Sequence, residues 1–589
     1  MEVSLLTLGI SDSHNSTAAL YQDGRIIAGV AEERLRRVKN WMGFPELAIQ
    51  ECLRIAGHQM QDIDFVGLTG LATPFPYPTR EAIINAFRGK NGNRPKFHRA
   101  RRTIVESIYK GSVRDLYRSS SYWKTRDHER RCHRIADVTA LGVPEEKVVI
   151  VEHHTAHAAA AYYGWARFDE DILVLTNDGG GDSLCATVNV GRAGKIERIA
   201  EVHWWESIGM LYAMTTCILG MVPLEHEYKL MGMAPYASGK ATEQVFNDLK
   251  TLFEFEGSEG IVWKRRGALP EAFGSYEYLR NMFDLRRFDA ICGGLQRFVE
   301  EFITEWIKNC IRATGIKKVA LSGGLFMNVK LNKIIMEMPE VEDLFVYPSC
   351  GDETNAMGAA YYAYAQHGDY RTMSPLTDFY LGPEYSTAEI LESVNAYSFK
   401  NEVSVEHRED IEAAVVELLA KGEVVARFKG REEFGARAMG NRSILADPAK
   451  PNVVKIINDA IKSRDFWMPF APSLLDRREQ DYFINPKGIR APYMILAFDS
   501  TDRVEEFRAA CHPYDLTIRP QVVYREWNPS YYALLEKFES ITGRGILLNT
   551  SFNLHGYPIV SRPEDALHVL DQSGLSWLAI GNLLLHKQN

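Results

Sequence analysis

Apolar and polar positions follow the same order in two separate stretches of this chain. The first reads LLTLGI, then the polar loop SDSHNS, then TAALYQ, a tight Asp-Gly turn and RIIAGVAEE. Short apolar runs bounded by turn residues predict three strands, the last two joined as a hairpin. The second stretch reads DILVLT, NDGGGDS, LCATVNVG, an Ala-Gly-Lys turn and IERIAEVHW. Both loops place glycine or short polar residues where backbone N–H groups can wrap a phosphate. Such a repeat predicts two related α/β lobes facing a shared cleft, with two unrelated hairpins as the alternative. A third glycine turn, VALSGGLFMNVKLNKII, joins a strand over 318–321 to a helix beginning near Phe326. Gly323 and Gly324 there leave room for a nucleotide against the backbone.

Residues 368–387, GDYRTMSPLTDFYLGPEYST, have the proline, glycine and polar content of a linker. Helix and strand patterns resume in ILESVNAYS, DIEAAVVELLAKG and EVVARF, which predicts a second domain over 388–589 after a first over 1–367.

Within the first domain, VVIVEHHTAHAAAAYYGW carries an apolar strand into a histidine pair and an alanine-rich helix. His153 and His157 are four apart, so both imidazoles leave one helix face and can share a metal ion. Asp352, in the loop PSCGDETNAMGAA, is a candidate third ligand. Two histidines and a carboxylate suit Fe(II) or another divalent ion. The alternative is that the histidines cap and pack a helix.

Composition narrows the classes. At 589 residues with a net charge of −9 and a pI near 6.0, the chain is large enough for several cores and ill suited to general nucleic-acid binding. No apolar run approaches the roughly 20 residues of a membrane span. The start, MEVSLLTLGI, lacks the features of a signal peptide. Eight cysteines without CxxC pairs fit reduced thiols in a cytoplasm. One region departs from the acidic average. Arg88 to Arg134 holds fifteen Lys/Arg against four acids, with Phe97, Tyr109, Tyr117, Tyr122 and Trp123 interleaved. This basic insertion, about 75–135, is either a cover over the cleft that holds a substrate or a solvated helical surface.

In the second domain, FKGREEFGARAMGNRSILADP sets Lys429, Arg431, Arg437 and Arg442 among glycines, a pattern for phosphate oxygens. Lys462 and Arg464 follow in IKSRDFWMPFAPSLL, Arg519 in LTIRPQVV, and Asn549, Ser551 and Asn553 in GRGILLNTSFNLHGYPIV. No GxxxxGK[ST] loop is present.

Ten motifs taken in order, HNSTAAL, EERLRR, VEHHTAHAAAAYY, DGGGD, EYKLMGMAPY, SGGLFMN, GDETNAMGAA, GREEFGARAMGNRSILADP, RPQVV and LLNTSFNLHGYPIV, resemble O-carbamoyltransferases of the NodU/TobZ family over nearly the whole chain. The resemblance implies a duplicated ASKHA (actin/hexokinase-like) first domain similar to TsaD and a YrdC-like α/β second domain. It implies that carbamoyl phosphate and ATP, with Mg2+, give carbamoyl-adenylate in the second domain, and that the first passes the carbamoyl group to a hydroxyl of a small-molecule acceptor. Carried over by motif, His153, His157 and Asp352 hold the metal, and His14 is a candidate base. Lys462, Arg464, Ser551 and Asn553 match the K-x-R and S-x-N residues of YrdC-like sites. Asp178, Gly179 and Gly180 of DGGGD, Lys229 of EYKLMGMAPY, and Gly323, Gly324 and Asn328 of SGGLFMN would contact nucleotide. Two positions depart from the pattern. Met468 stands where R-E-x-F-R-P-F-A-P has its second arginine, which implies either weaker carbamoyl phosphate binding or compensation by another cation such as Arg519, and Asn15 replaces an acid of HDSSA-like loops. An ASKHA-type sugar kinase and a non-enzymatic nucleotide-binding switch are the rival functions; a homodimer is compatible with the chain.

Overall fold

A computed structural model describes residues 5–71, 77–88, 121–267, 269–270, 272–450 and 452–588. The first lobe contains β1 (Thr7–Ser11), β2 (Thr17–Gln22), β3 (Arg25–Ala31), β4 (Phe65–Thr69) and β5 (Val148–Val151). The second contains β6 (Ile172–Gly181), β7 (Leu184–Arg192) and β8 (Lys195–His203). A hairpin, β9 (Phe253–Glu256) and β10 (Val262–Arg265), precedes the lobe's last strands, β11 (Lys318–Ser322) and β12 (Asp343–Val346).

The two five-stranded sheets have one topology. Their orders are β3-β2-β1-β4-β5 and β8-β7-β6-β11-β12. In each, the first three strands are antiparallel neighbours and the last two run parallel to the central one. The repeated sequence grammar is therefore a structural duplication, the ASKHA-like architecture. Both hairpin turns are left-handed at two successive residues, Asp23-Gly24 (φ 50° and 83°) and Ala193-Gly194 (45° and 75°), which matches the strand twist of type I′ turns.

Each sheet's final strand leads to a helix: His153–Trp165 after β5 and Asn355–His367 after β12. These two helices meet between the lobes, and small residues let them approach. A Cβ on Gly358 would lie 1.9 Å from the carbonyl oxygen of Ala156. Gly9 of β1 and Gly67 of β4 similarly make room for the backbone of the second helix at Ala356 and Ala359. The alanine run is thus a packing surface buried on nearly every side.

The rest of the chain forms an α/β unit on a mixed eight-stranded sheet, the class that the YrdC likeness implies. Its strands are β13 (Val403–His407), β14 (Val425–Phe428), β15 (Arg442–Ala446), β16 (Ala471–Leu475), β19 (Gln521–Val523), β20 (Ile546–Ser551), β21 (Trp577–Ile580) and β22 (Leu583–Lys587), with the short pair β17 (Phe483–Ile484) and β18 (Asp499–Ser500) set apart. The connecting segment is packed: Phe379, Tyr380 and Leu381 are buried, and Leu381 accepts a backbone hydrogen bond from Gly29 of β3 (3.1 Å). Arginines of EERLRR clasp the halves together. Buried Arg34 pairs with Glu432 and donates to the carbonyls of Glu433 (2.6 Å) and Gly435 (2.5 Å). Arg37 donates to the carbonyls of Ile559 (2.6 Å) and Pro558 (3.0 Å). Among the described residues no helix is long and apolar enough to cross a membrane.

Candidate active site

The duplicated topology brings four ligand-type side chains together at the interlobe helices. His153 and His157 lie in the first turns of one helix, and Asp352 lies in the turn just before its counterpart in the other lobe. Asp178 comes from the loop end of β6. His153 Nε2 is 3.1 Å from Asp178 Oδ2 and 3.6 Å from Asp352 Oδ1, and His157 Nε2 is 3.6 Å from Asp352 Oδ1. One ligand atom from each of the four lies within 4.8 Å of all the others. Metal–ligand bonds of about 2.0–2.2 Å space ligand atoms about 3–4.4 Å apart, so the set fits a divalent ion after small closure.

The surroundings aim the ligand atoms inward. His157 Nδ1 is 3.2 Å from Ser322 Oγ, its Nε2 turns to the cluster with Asn355 Nδ2 3.3 Å away, and the Gly324 N–H donates to Asp178 Oδ1 (3.2 Å). Glycine is required beside them: a Cβ on Gly181 would lie 2.2 Å from the His153 ring, and one on Gly324 would lie 2.7 Å from Asp178 Oδ1. Burial works against a charged His153, yet Asp352 and Asp178 overcome it and push its pKa up to about 10. The Asp178 carboxyl is held well below its ordinary range, because His153 and its neighbours outweigh burial. The field therefore favours an added positive charge, the demand that a divalent ion would satisfy. His154 faces elsewhere: Nδ1 meets Thr176 Oγ1 at 2.8 Å, and burial followed by His153 and His157 push its pKa down to about 3.

Adjoining this cluster, in the second domain, lies a group of cations without counter-ions among the described residues. Lys462 is 2% exposed, and its Nζ reaches Ser551 O (2.5 Å), Ser551 Oγ (3.2 Å) and Asn553 Oδ1 (2.8 Å). Arg464 donates to Thr550 Oγ1 (3.1 Å) and lies over Phe470. Burial lowers the Lys462 ammonium, aided by Arg464 and Lys39; burial, with Arg437, brings Arg464 down to about 10. Burial and the neighbouring Arg437 and Arg464 push Arg519 well down. Among the described residues, none of Arg437, Lys462, Arg464 and Arg519 pairs with a carboxylate, and neither Arg437 nor Arg519 has a side-chain hydrogen-bond partner. Recessed like charges are costly unless an anion joins them. The two clusters adjoin: Arg437 lies in the field of Glu353, the residue after Asp352, and of Cys350, which also feels Asp178.

The structure divides the residues expected at these sites. Arg437, Lys462, Arg464, Arg519, Ser551 and Asn553 gather, with Arg519 in the field of Arg437 and Arg464, and Met468 is buried. Three other cations expected on phosphate are engaged elsewhere. Lys429 pairs with Glu412 (2.7 Å), and Arg431 donates to the carbonyls of Ile27 (2.9 Å) and Leu381 (2.8 Å). Arg442 is fully buried, stacked on Phe428, and donates to the carbonyls of Gly430 (3.0 Å) and Pro383 (3.1 Å). Asn549 Nδ2 serves Ala438 O (3.1 Å) and Ser473 Oγ (2.9 Å).

In the first domain, Asn328 caps the helix Val329–Glu337, which starts later than the sequence suggested, and exchanges hydrogen bonds with Gln296. Gly323 packs on Asn177, while Gly179 and Gly180 lie beside Asp178 in the β6 loop. Lys229 reaches across to Asp465 (3.2 Å). His14 is half-buried in a backbone bridge with Met42, and its imidazole has no hydrogen-bond partner among the described residues.

Sequence reasoning missed Asp178 as a neighbour of the histidines. The duplication carried the signal, because Asp12 occupies the same place after β1. There the carboxylate meets a guanidinium instead: Arg134 donates to both Asp12 oxygens at 2.7 Å, and Tyr77 Oη to Oδ2 at 3.1 Å. Both ends of the basic insertion thus converge on Asp12. Arg101, Arg102, Phe97, Tyr109 and Tyr117, and the side chains of Tyr122 and Trp123, lie outside the described residues.

Comparison with known proteins agrees with this architecture. The profile for the carbamoyltransferase N-terminus matches residues 6–361, and that for the carbamoyltransferase C-terminus matches 416–587. Nodulation protein NolNO of Sinorhizobium fredii is 30% identical over 98% of this chain and 79% of its own. A 3'-hydroxymethylcephem-O-carbamoyltransferase of Amycolatopsis lactamdurans is 30% identical over 44% of this chain and 47% of its own. A ROK hexokinase from Thermus thermophilus covers 62% of this chain and 99% of its own at 16% identity and a TM-score of 0.29; the fold assignment rests on strand order instead. With both profiles matched in sequence order, this chain belongs to the carbamoyltransferase family.

Proposed function

We propose that the chain is an O-carbamoyltransferase working in two steps, each assigned to one of the clusters. In the first, carbamoyl phosphate yields carbamate and inorganic phosphate with a water; a carbamate oxygen attacks the α-phosphorus of ATP, and pyrophosphate leaves. Carbamoyl-adenylate results. Arg437, Arg464 and Arg519 would bind the phosphate oxygens, whose developing charge they stabilise as preorganised donors. Lys462, held by Ser551 and Asn553, would orient the carbamoyl donor. In the second step a hydroxyl oxygen of a small natural product or sugar attacks the carbamoyl carbon, and AMP leaves. The His14 imidazole would take the hydroxyl proton.

His153, His157, Asp178 and Asp352 would hold Fe(II) or another divalent ion, which supplies Lewis acidity toward the mixed anhydride. A carbamoyl carbonyl is a poor electrophile because its nitrogen donates into it, so adenylation supplies the leaving group.

The observation that carries this reading is the group of recessed cations, without counter-ions among the described residues, that adjoins the His/Asp cluster. A sugar kinase would leave that group without purpose. The test is exchange of labelled pyrophosphate into ATP. Exchange that depends on carbamoyl phosphate is expected, and its absence in active, metal-loaded protein would sink the reading.

A further inference from the structure

Between the two clusters stands a buried serine that neither step uses. Ser349 is 5% exposed and left-handed at φ 54°, a conformation that non-glycine residues seldom adopt without a compensating contact. Its hydroxyl provides two. Ser349 Oγ donates to Glu353 Oε1 (2.7 Å) and accepts from the backbone N–H of Ala436 (2.9 Å). The first bond ends one residue from Asp352, and the second one residue from Arg437. The loop from the second domain presses directly on this serine: a Cβ on Gly435 would lie 2.4 Å from Ser349 Oγ, and Gly435 has a φ of 86°.

We infer that Ser349 is a positioning residue that sets the register between the Asp352 turn and the Arg437 loop, and so closes the junction between the two sites to water. The inference rests on the two-step reading above. An activated carbamoyl group made at one cluster and used at the other is lost if water reaches it first. In that loss a water oxygen attacks the carbamoyl carbon, the bond to the adenylate oxygen breaks, and AMP and carbamic acid are released. A buried hydroxyl bonded on both sides holds the two loops at a fixed separation, and its removal leaves the Ala436 N–H and the Glu353 carboxylate facing each other across a gap that admits water.

The test uses two variants of the full chain. Ser349→Gly removes the hydroxyl and suits the left-handed backbone, so folding is retained. Ser349→Ala removes the same hydroxyl and keeps the Cβ. For each, three quantities are measured: metal content, carbamoyl-phosphate-dependent pyrophosphate exchange, and AMP release without acceptor. Expected in both variants are metal content as in wild type, exchange within about twofold, and AMP release raised at least about tenfold, the effect of losing both hydrogen bonds of the buried hydroxyl. Unchanged AMP release in Ser349→Gly would overturn the inference. So would a rise in Ser349→Ala alone, which would assign the effect to backbone strain. Absence of exchange in the wild type is a separate result that removes the two-step reading itself.

Discussion

Replacing Arg519 with methionine tests whether the cation group is built for a ligand or for the fold. Arg519 has no hydrogen-bond partner among the described residues, so the substitution breaks no internal bond. Arg437 and Arg464 push its pKa down, in addition to burial, so the native protein bears repulsion that methionine relieves. Like charges about 5–8 Å apart repel by about 2–3 kcal/mol at an effective dielectric near 20. Solvent in the cleft screens most of this, leaving a gain of about 1 kcal/mol. Against that, one charge-assisted bond to a phosphate oxygen is lost, about 1.5–3 kcal/mol, or a ten- to 150-fold fall in kcat/KM for ATP in pyrophosphate exchange. The variant should therefore melt no lower than wild type while losing exchange. Added inorganic phosphate should raise the melting temperature of the wild type, and that rise should shrink in the variant. Arg442→Met is the control. It removes donors from buried carbonyls and should destabilise by about 2–4 kcal/mol. A lowered melting temperature with full exchange in Arg519→Met would refute the reasoning and make the group structural.

Asp178→Asn and His157→Ala should each lower metal content, measured by mass spectrometry of the bound ion, and abolish transfer while exchange persists; full metal retention in Asp178→Asn would remove it from the ligand set. Arg34→Met leaves Glu432 buried opposite an apolar side chain and should cost about 3–5 kcal/mol in denaturant unfolding, whereas a cost near zero would show that the clasp carries little. Burial raises the Glu227 pKa to about 7, so the folded state binds the extra proton between pH 4.5 and 7 and stability falls as pH rises through that window. Glu227→Gln keeps an oxygen for the Leu224 N–H and should remove about 3 kcal/mol of this slope, read from unfolding at pH 5 and pH 8; parallel profiles would contradict it.

Much of this protein was already determined by local sequence. The strand–loop–strand order around SDSHNS and NDGGGDS specified the duplication, because short-range alternation and turn chemistry act within a dozen residues. The left-handed Asp-Gly and Ala-Gly turns followed from the same cause. The four-residue spacing of His153 and His157 placed them on one helix face, and Lys462 meets Ser551 and Asn553.

Only tertiary structure decided which members of one arginine-rich stretch face the cleft. Arg431, Arg437 and Arg442 are indistinguishable by type and lie within twelve residues, yet Arg431 answers to carbonyls of Ile27 and Leu381, Arg442 to those of Gly430 and Pro383, and Arg437 to none. Asp178 likewise joined the histidines because β6 and the helix after β5 converge across the two lobes. The direction of a long side chain depends on carbonyls and charges that lie from 12 to 404 residues away, and those meet it only after the lobes and the second domain have packed.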